Sequence, residues 1–376
     1  METNGIAELK MNFEFTHPDV APAWLIGSRT HLLDCWEPQL EWLRMPRLLF
    51  DDKEFTACQA FDDKPSRGDV NPDESISFDG LYYDARVHGG SNIAHAILGG
   101  AITTLACEFA ARKLGLDSVV TSVIPAKTAY YVQEVYKILG IPTLATDSPV
   151  LGQKWQTNFD DSARIGLAIQ LLPVSLVEQL EANPHGVPKR IYLARKGPRS
   201  ISNSDEVEAL LKRQGFTTVY PERLPVIEQF RYLWHAEVIV GVHGAALAAL
   251  IFRVLKKDGH PMCLLELFGP GYVVTLYRHL IAAIGGQWIG VRGRVTPQVV
   301  YDLEVLQGGG YWSKLSSKLR GRIPGRFLKQ ERAWQRTHQS TNFEIDPESL
   351  MAALDLMQTQ SSEPCPRLIA FEQKIN

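Results

Sequence analysis

Residues 240–250 read VGVHGAALAAL. An apolar run ends in Gly241, and a histidine and a second glycine precede a row of small residues. In an open α/β sheet, ligands bind at the carboxyl ends of strands, where the next helix begins. Unpaired backbone amides and the helix dipole make that place favourable for an anion such as a phosphate. Gly241 and Gly244 would let a ligand approach the backbone, and Ala245 and Ala246 would keep bulk away. His243 could donate to a phosphate oxygen. The plainer alternative is a tight strand-to-helix turn with a histidine on its rim.

Two further groups fall at equivalent places. In LARKGPRS, Arg195 and Arg199 follow an apolar strand. Paired guanidiniums there could clamp a diphosphate, although a solvated charge cluster would look the same in sequence. Glu266 lies near the end of the apolar run CLLEL. It could accept hydrogen bonds from ribose hydroxyls, or it could pair with a neighbouring arginine.

These residues need parallel strands to carry them. From Leu81 onward, strand-like and helix-like runs alternate: GLYYDARVHG, the small-residue helix 91–115, DSVVTSVIP, KTAYYVQEVYKILG and IPTLAT. VLGQKWQTNFDD (150–161) reads as a loop, and ARIGLAIQLLPVSLVEQLEAN as a pair of linker helices. The alternation resumes from RIYLAR to QWIGV. SNSDEVEALLKRQGF opens there with a capping-box-like spacing of Asn203 and Glu206. Such alternation implies βαβ units. The expected fold class is α/β, with two Rossmann-like doubly wound lobes and a cleft between them. The expected division is an irregular segment over 1–80 belonging to the first lobe, a first lobe over 81–185 and a second over 186–305. A basic aromatic segment over 306–345 and a helix with tail over 346–376 complete it.

Bulk properties narrow the function. A net charge of −3, with 45% hydrophobic and 22% charged residues, describes a globular chain with ample core and no general affinity for nucleic acid. The five cysteines are scattered without a CxxC pair, so neither a zinc site nor a disulfide framework is expected. METNGIAELKMNFEF has no apolar signal core, and no apolar run reaches the ~18 residues of a membrane span. The expected location is cytoplasmic.

The run RIYLARKGPRSISNSDEVEALLKRQGF, then PVIEQFRYLWHAEVIVGVHGAALAALIF, LLELFGP and LYRHLIAAIGGQW, resembles glycosyltransferase family 61 over residues 190–290. The resemblance implies a GT-B fold, a nucleotide-sugar donor (UDP-sugar by default) on the second lobe, an acceptor lobe before it, and inversion at the anomeric carbon. It carries donor roles to Arg195, Arg199, Asn203, Glu228, Gln229, His243, Gly244 with the adjoining Ala245, and Glu266. Glu228 and Gln229 could instead only cap and pack their helix.

The family's Asn-x-x-His-Trp-x-x-Asp stretch is matched in part. Asn92 and His95 fit, but Ala96 stands for the tryptophan and Gly99 for the aspartate. That leaves His95 as the base candidate, with Asp84 and His88 nearby in sequence; a packed core histidine is the plainer reading of His95. Inverting transfer needs a base for the acceptor hydroxyl and positive charge for the leaving diphosphate. With no Asp-x-Asp pattern beside the donor lobe, metal-independent transfer without a cofactor is expected.

The expected acceptor is a glycan or lipid-linked glycan, in bacterial surface polysaccharide synthesis. Alternatives are a nucleotide-sugar epimerase or hydrolase on the same scaffold, or a non-catalytic nucleotide-sugar-binding partner. Residues 312–338 hold Lys314, Lys318, Arg320, Arg322, Arg326, Lys329, Arg332 and Arg336 against one acid, Glu331, with Trp312, Phe327 and Trp334 interleaved. This stretch could rest peripherally on the inner, anionic face of the cell membrane, or be a solvated surface segment.

Overall fold

The computed structural model describes residues 8–12, 23–29, 54–61, 75–113, 115–116, 119–157, 171–182, 186–256, 262–269, 276–284, 286–294, 342–358 and 367–372. The basic aromatic stretch 312–338 lies outside them.

The strands, in chain order, are β1 (Glu8–Asn12), β2 (Ala23–Arg29), β3 (Glu54–Phe61), β4 (Ile76–Asp84), β5 (Val120–Ile124), β6 (Thr143–Ala145), β7 (Val150–Thr157), β8 (Arg190–Leu193), β9 (Thr217–Val219), β10 (Val238–Val242), β11 (Cys263–Phe268), β12 (Gln287–Arg292) and β13 (Arg367–Glu372). A π-helical stretch His95–Ala101 runs into α1 (Ile102–Lys113). The later helices are α2 (Tyr130–Ile138), α3 (Val174–Glu181), α4 (Ser204–Arg213), α5 (Val226–His235), α6 (Leu276–Ala283) and α7 (Pro347–Gln358).

Six strands form a first sheet in the order β1-β3-β7-β4-β5-β6, and seven form a second in the order β13-β2-β12-β11-β10-β8-β9. The second is parallel at every pairing. In the first, β7, β4, β5 and β6 are parallel, while β3 and β1 add antiparallel strands at one edge. The chain therefore has the mixed α/β character, with parallel Rossmann-like sheets, that its alternation implied. Strands β9 and β10 lie on opposite sides of β8. The strand order thus reverses between β8 and β10, and a crevice opens at the carboxyl ends of such a pair.

Two sequence expectations are corrected. Residues 150–157 are not a loop but β7, between β4 and β3. Gly152, Gln153 and Lys154 hide the apolar alternation, yet Trp155 is fully buried. At Gly152 φ is +156° and a side chain would run into the Phe78 carbonyl, beside the register shift between Phe78 and Leu81. Second, residues 1–80 do not all belong with the first sheet: β2 pairs in parallel with β12, and β13 from the tail pairs with β2. Short apolar runs such as AWLIGSR carry no signal of which open edge they will complete. The helix expected after β10 is present as a 3-10 helix, Ala245–Leu255.

One hydrophobic core continues from Leu81 and Trp155 in the first sheet to Ile239, Phe268 and Trp288 in the second. Helix α3 stitches the halves: Gln179 Nε2 donates to the Ile138 carbonyl at the end of α2, and Arg231 Nε and Trp234 Nε1 of α5 donate to the Gln179 carbonyl and Glu181. A second core covers the opposite face of the second sheet, with Tyr192, Val240, Leu265 and Ile289. Strand side chains alternate between faces. Glu266 therefore shares a face with Leu264 and Phe268, the face whose core reaches the first sheet. Among the described residues no helix is long and apolar enough to cross a membrane.

Candidate functional site

The reversal point of the second sheet gathers the donor-side residues. Backbone pairing carries β10 past Gly241, and the amide of His243 donates to the Leu267 carbonyl at 2.8 Å, which turns the chain out of the sheet. Gly244 follows, and the Leu247 amide donates to its carbonyl at 3.1 Å to open the 3-10 helix. Among the described residues none accepts from the amides of Gly244, Ala245 or Ala246. Three consecutive donors thus stand at the positive end of a helix dipole, the arrangement that holds an anion.

His243 is held on three sides. Its Nδ1 lies 2.6 Å from Glu266 Oε1, and its ring stacks on Phe268 at 5.4 Å between centroids, with Tyr277 tilted at 5.5 Å. The side chain keeps 12% exposure, whereas Glu266 has none. The second oxygen, Glu266 Oε2, accepts from Trp288 Nε1 at 2.7 Å. An indole N–H can only donate, so the carboxylate is fixed as an acceptor on both sides. It takes the Nδ1 proton of His243 and leaves Nε2 as the imidazole's outward atom. Tyr277 is fixed in turn, its hydroxyl donating to the Gly244 carbonyl at 2.9 Å.

Arg195 reaches this turn from the end of β8. Its Nε donates to the Pro198 carbonyl at 2.7 Å, and a Cβ built on Gly244 would stand 2.8 Å from its Nη1. The guanidinium therefore lies over the glycine. Burial, and after it the like charge of Arg199, hold the Arg195 pKa below its ordinary value. Arg199 itself has φ +66°, a left-handed conformation uncommon for a residue with a side chain. A small cleft of about 10 Å³ adjoins the turn, lined by Leu193, Val219, Pro221, Leu224, Gln229, Tyr232, Leu233 and Ala246.

A Gly244→Ala substitution separates fit from fold. The glycine's φ of 174° is extended backbone open to any residue, and the only side chain in the way is the mobile tip of Arg195. Melting temperature should stay within a degree or two of the wild type. If the turn holds the diphosphate expected from the sequence, affinity for nucleoside diphosphates, read by calorimetry, should fall ~10-fold or more as Arg195 is displaced.

Other donor-side expectations are revised. Glu266 is too deep to meet a ribose, and its partner is His243 rather than an arginine. Asn203 faces the C-terminal segment: its Oδ1 accepts from the Ile345 amide and its Nδ2 donates to the Ile345 carbonyl and to Glu206. The capping-box spacing is present, but the side chain does not cap α4. It anchors residues 342–345, where Phe343 also bridges to Ile201. Glu228 pairs with Arg231 on its own helix, half-exposed. Gln229 donates to the Leu224 carbonyl at 3.0 Å and lines the cleft. Phe268, Tyr277 and Trp288 were not singled out in the sequence. Their signal was faint: an aromatic two residues after Glu266, and one beside each of two later turns.

At the carboxyl edge of the first sheet, the three base candidates part. Asp84 holds Arg86 through both oxygens at 2.8 Å, and Arg86 Nη1 donates to the Ser148 carbonyl at 2.7 Å. Burial alone would raise the Asp84 pKa, but the Arg86 hydrogen bonds and charge outweigh it and hold it below the ordinary carboxylate value. Asp84 is a clip, not a base. Its contribution to stability is present above the carboxylate range and is lost as pH falls through its lowered pKa. His88 is packed inward: Nε2 lies 2.9 Å from the Tyr83 hydroxyl, and its ring covers Gly99 so closely that a Cβ there would run into Nδ1. That is the reason for glycine at the family's aspartate position, because the His88 ring fills the space. Gly100 likewise leaves room for the buried Tyr136 hydroxyl.

His95 remains as the exposed imidazole. Its Nδ1 faces the His88 carbonyl at 3.3 Å, and Asn92 Oδ1 accepts from the Ala94 and His95 amides. A carbonyl can only accept, so the proton sits on Nδ1 and the Nε2 lone pair is left for a substrate.

No curated protein matches the chain. The family model described as Glycosyltransferase 61 matches residues 48–262. That span takes in β3 to β10, with His95, both arginines and the His243 turn; Glu266, Phe268, Tyr277 and Trp288 lie beyond it. Since the match covers more than half of the sequence and contains both halves of the site, the chain belongs to glycosyltransferase family 61.

Proposed function

We propose that this glycosyltransferase is an inverting, metal-independent enzyme with a GT-B arrangement, in which the two sheets are the acceptor and donor lobes. The observation that carries the reading is the turn at 243–246: three free amides, the Arg195 guanidinium over Gly244 and an oriented His243 meet at one strand-order reversal. A diphosphate satisfies all of them.

In the proposed reaction an acceptor hydroxyl attacks the anomeric carbon and its proton passes to His95 Nε2. The bond from that carbon to the diphosphate oxygen breaks, and the electron pair leaves with the nucleoside diphosphate. Arg195, Arg199, the amides and the Glu266-backed His243 stabilise the developing charge, the task a divalent cation performs in other transferases. The donor is a UDP-sugar and the acceptor a glycan or lipid-linked glycan of a bacterial surface polysaccharide. The enzyme is cytoplasmic, with peripheral contact to anionic lipid through residues 312–338.

A thermal-shift screen of nucleoside diphosphates in EDTA tests the core of this. UDP should raise the melting temperature by several degrees without metal. Stabilisation that disappears in EDTA and returns with Mn²⁺ or Mg²⁺ would overturn metal independence. No stabilisation by any nucleotide would overturn the donor site. Conversion of donor without an acceptor would point instead to an epimerase or hydrolase.

A further inference from the structure

The carboxyl edge of the first sheet carries an exposed aromatic corner that the donor chemistry does not use. Tyr130, at the start of α2, is 70% exposed, and Val87, in the turn after β4, is 67% exposed. These two are on segments joined to each other. The Ala129 amide donates to the Gly90 carbonyl and the Tyr131 hydroxyl to the Ser91 carbonyl, each at 2.7 Å.

The corner is rigid. Tyr131 packs on the core and stands nearly perpendicular to Tyr130, at 79° with centroids 5.6 Å apart. Thr128 Oγ1 donates to the Pro125 carbonyl at 2.6 Å, and Gly90 approaches the Thr128 backbone so closely that a Cβ would lie 3.0 Å from its Cα. The same turn holds His95, through its contact with the His88 carbonyl and the Asn92 cap. One fixed loop cluster therefore carries both the exposed Tyr130 ring and the His95 imidazole.

A saccharide ring has an apolar C–H face and a rim of hydroxyls. An aromatic face matches the first through dispersion and C–H···π contact, and the exposed Lys127 on the same turn can serve the second. Because the platform is already ordered, binding costs little conformational entropy. We propose that Tyr130, backed by Tyr131, is the acceptor subsite, on which a sugar ring of the acceptor stacks so that a neighbouring hydroxyl reaches His95. This rests on the reading of His95 as the base, but it can fail separately from the donor site.

The test uses the full-length chain, labelled with a fluorophore, on a printed array of mono- and oligosaccharides, with and without UDP. Nucleotide stabilisation is measured in parallel. The wild type should retain a defined set of glycans. Tyr130→Ala should lose them about tenfold, Tyr130→Trp should keep them, and all three proteins should respond to UDP alike. Equal retention by Tyr130→Ala, or no glycan retained by a wild type that UDP does stabilise, would overturn the subsite. Loss of UDP stabilisation with glycan retention intact would overturn the donor reading and leave the platform standing.

Discussion

Replacing Glu266 with glutamine should lower kcat/KM about 100-fold while leaving a folded protein. The change is nearly isosteric, but a carboxylate with two acceptors becomes an amide with one. The Trp288 indole can only donate, so the amide oxygen must turn towards it. The amide NH₂ then meets His243 Nδ1, which must become the acceptor. His243 is pushed into the other tautomer, with its proton on Nε2, and loses the hydrogen bond from Nδ1 to the Glu266 carboxylate. It would still donate to a phosphate oxygen, but from a ring no longer backed by a carboxylate charge.

The loss should therefore be smaller than in His243→Ala and larger than in Trp288→Phe, where Glu266 Oε2 is left buried without its donor. Trp288→Phe should act mostly on stability, at about 1–3 kcal/mol for an unpaired buried acceptor. Full kinetics beside chemical denaturation would separate the two effects. Wild-type turnover in Glu266→Gln would show that the Trp288–Glu266–His243 chain supports the fold and not the chemistry.

Legibility in the sequence followed burial. Strands buried on both faces read as continuous apolar runs, so VIVGV, CLLELF and QWIGV were recognisable as parallel strands, and the reversal-point rule then located His243, Gly244 and Arg195 together. The partners of a buried polar group were not recognisable, because nothing local to Glu266 says that an indole two segments later will meet it. Asn203 misled for the opposite reason. Its contact with Glu206 forms as the spacing suggests, but the same side chain also binds both backbone groups of Ile345 and caps no amide of α4. Gly99 reads as a lost acid until the His88 ring is seen over it. Strand pairing was the least legible feature: β2 and β13 complete an open edge of the second sheet from the two ends of the chain, and periodicity specifies a face, not a neighbour.

Arg195→Met should produce an enzyme at least as stable as the wild type and nearly inactive. Burial and the neighbouring Arg199 both disfavour the charged guanidinium, as its lowered pKa records. A base whose folded pKa is lowered burdens folding wherever it is charged, which for arginine is the whole working range. Methionine keeps the aliphatic stem, removes that burden and sacrifices the hydrogen bond to the Pro198 carbonyl. The two changes offset each other, so the melting temperature should hold or rise. Catalysis has no such compensation. In the proposed reaction the charge over Gly244 faces the leaving diphosphate, and its removal should cost kcat/KM ~10²–10³-fold. A strained, like-charged pair that weakens the empty protein is what a site built for a dianion requires, since the ligand supplies the missing counter-charge. Melting curves with and without UDP would show it directly: the wild type should gain more from the nucleotide than Arg195→Met does. An equal gain would mean that Arg195 does not touch the ligand, and an unfolded variant would mean that the guanidinium is a strut.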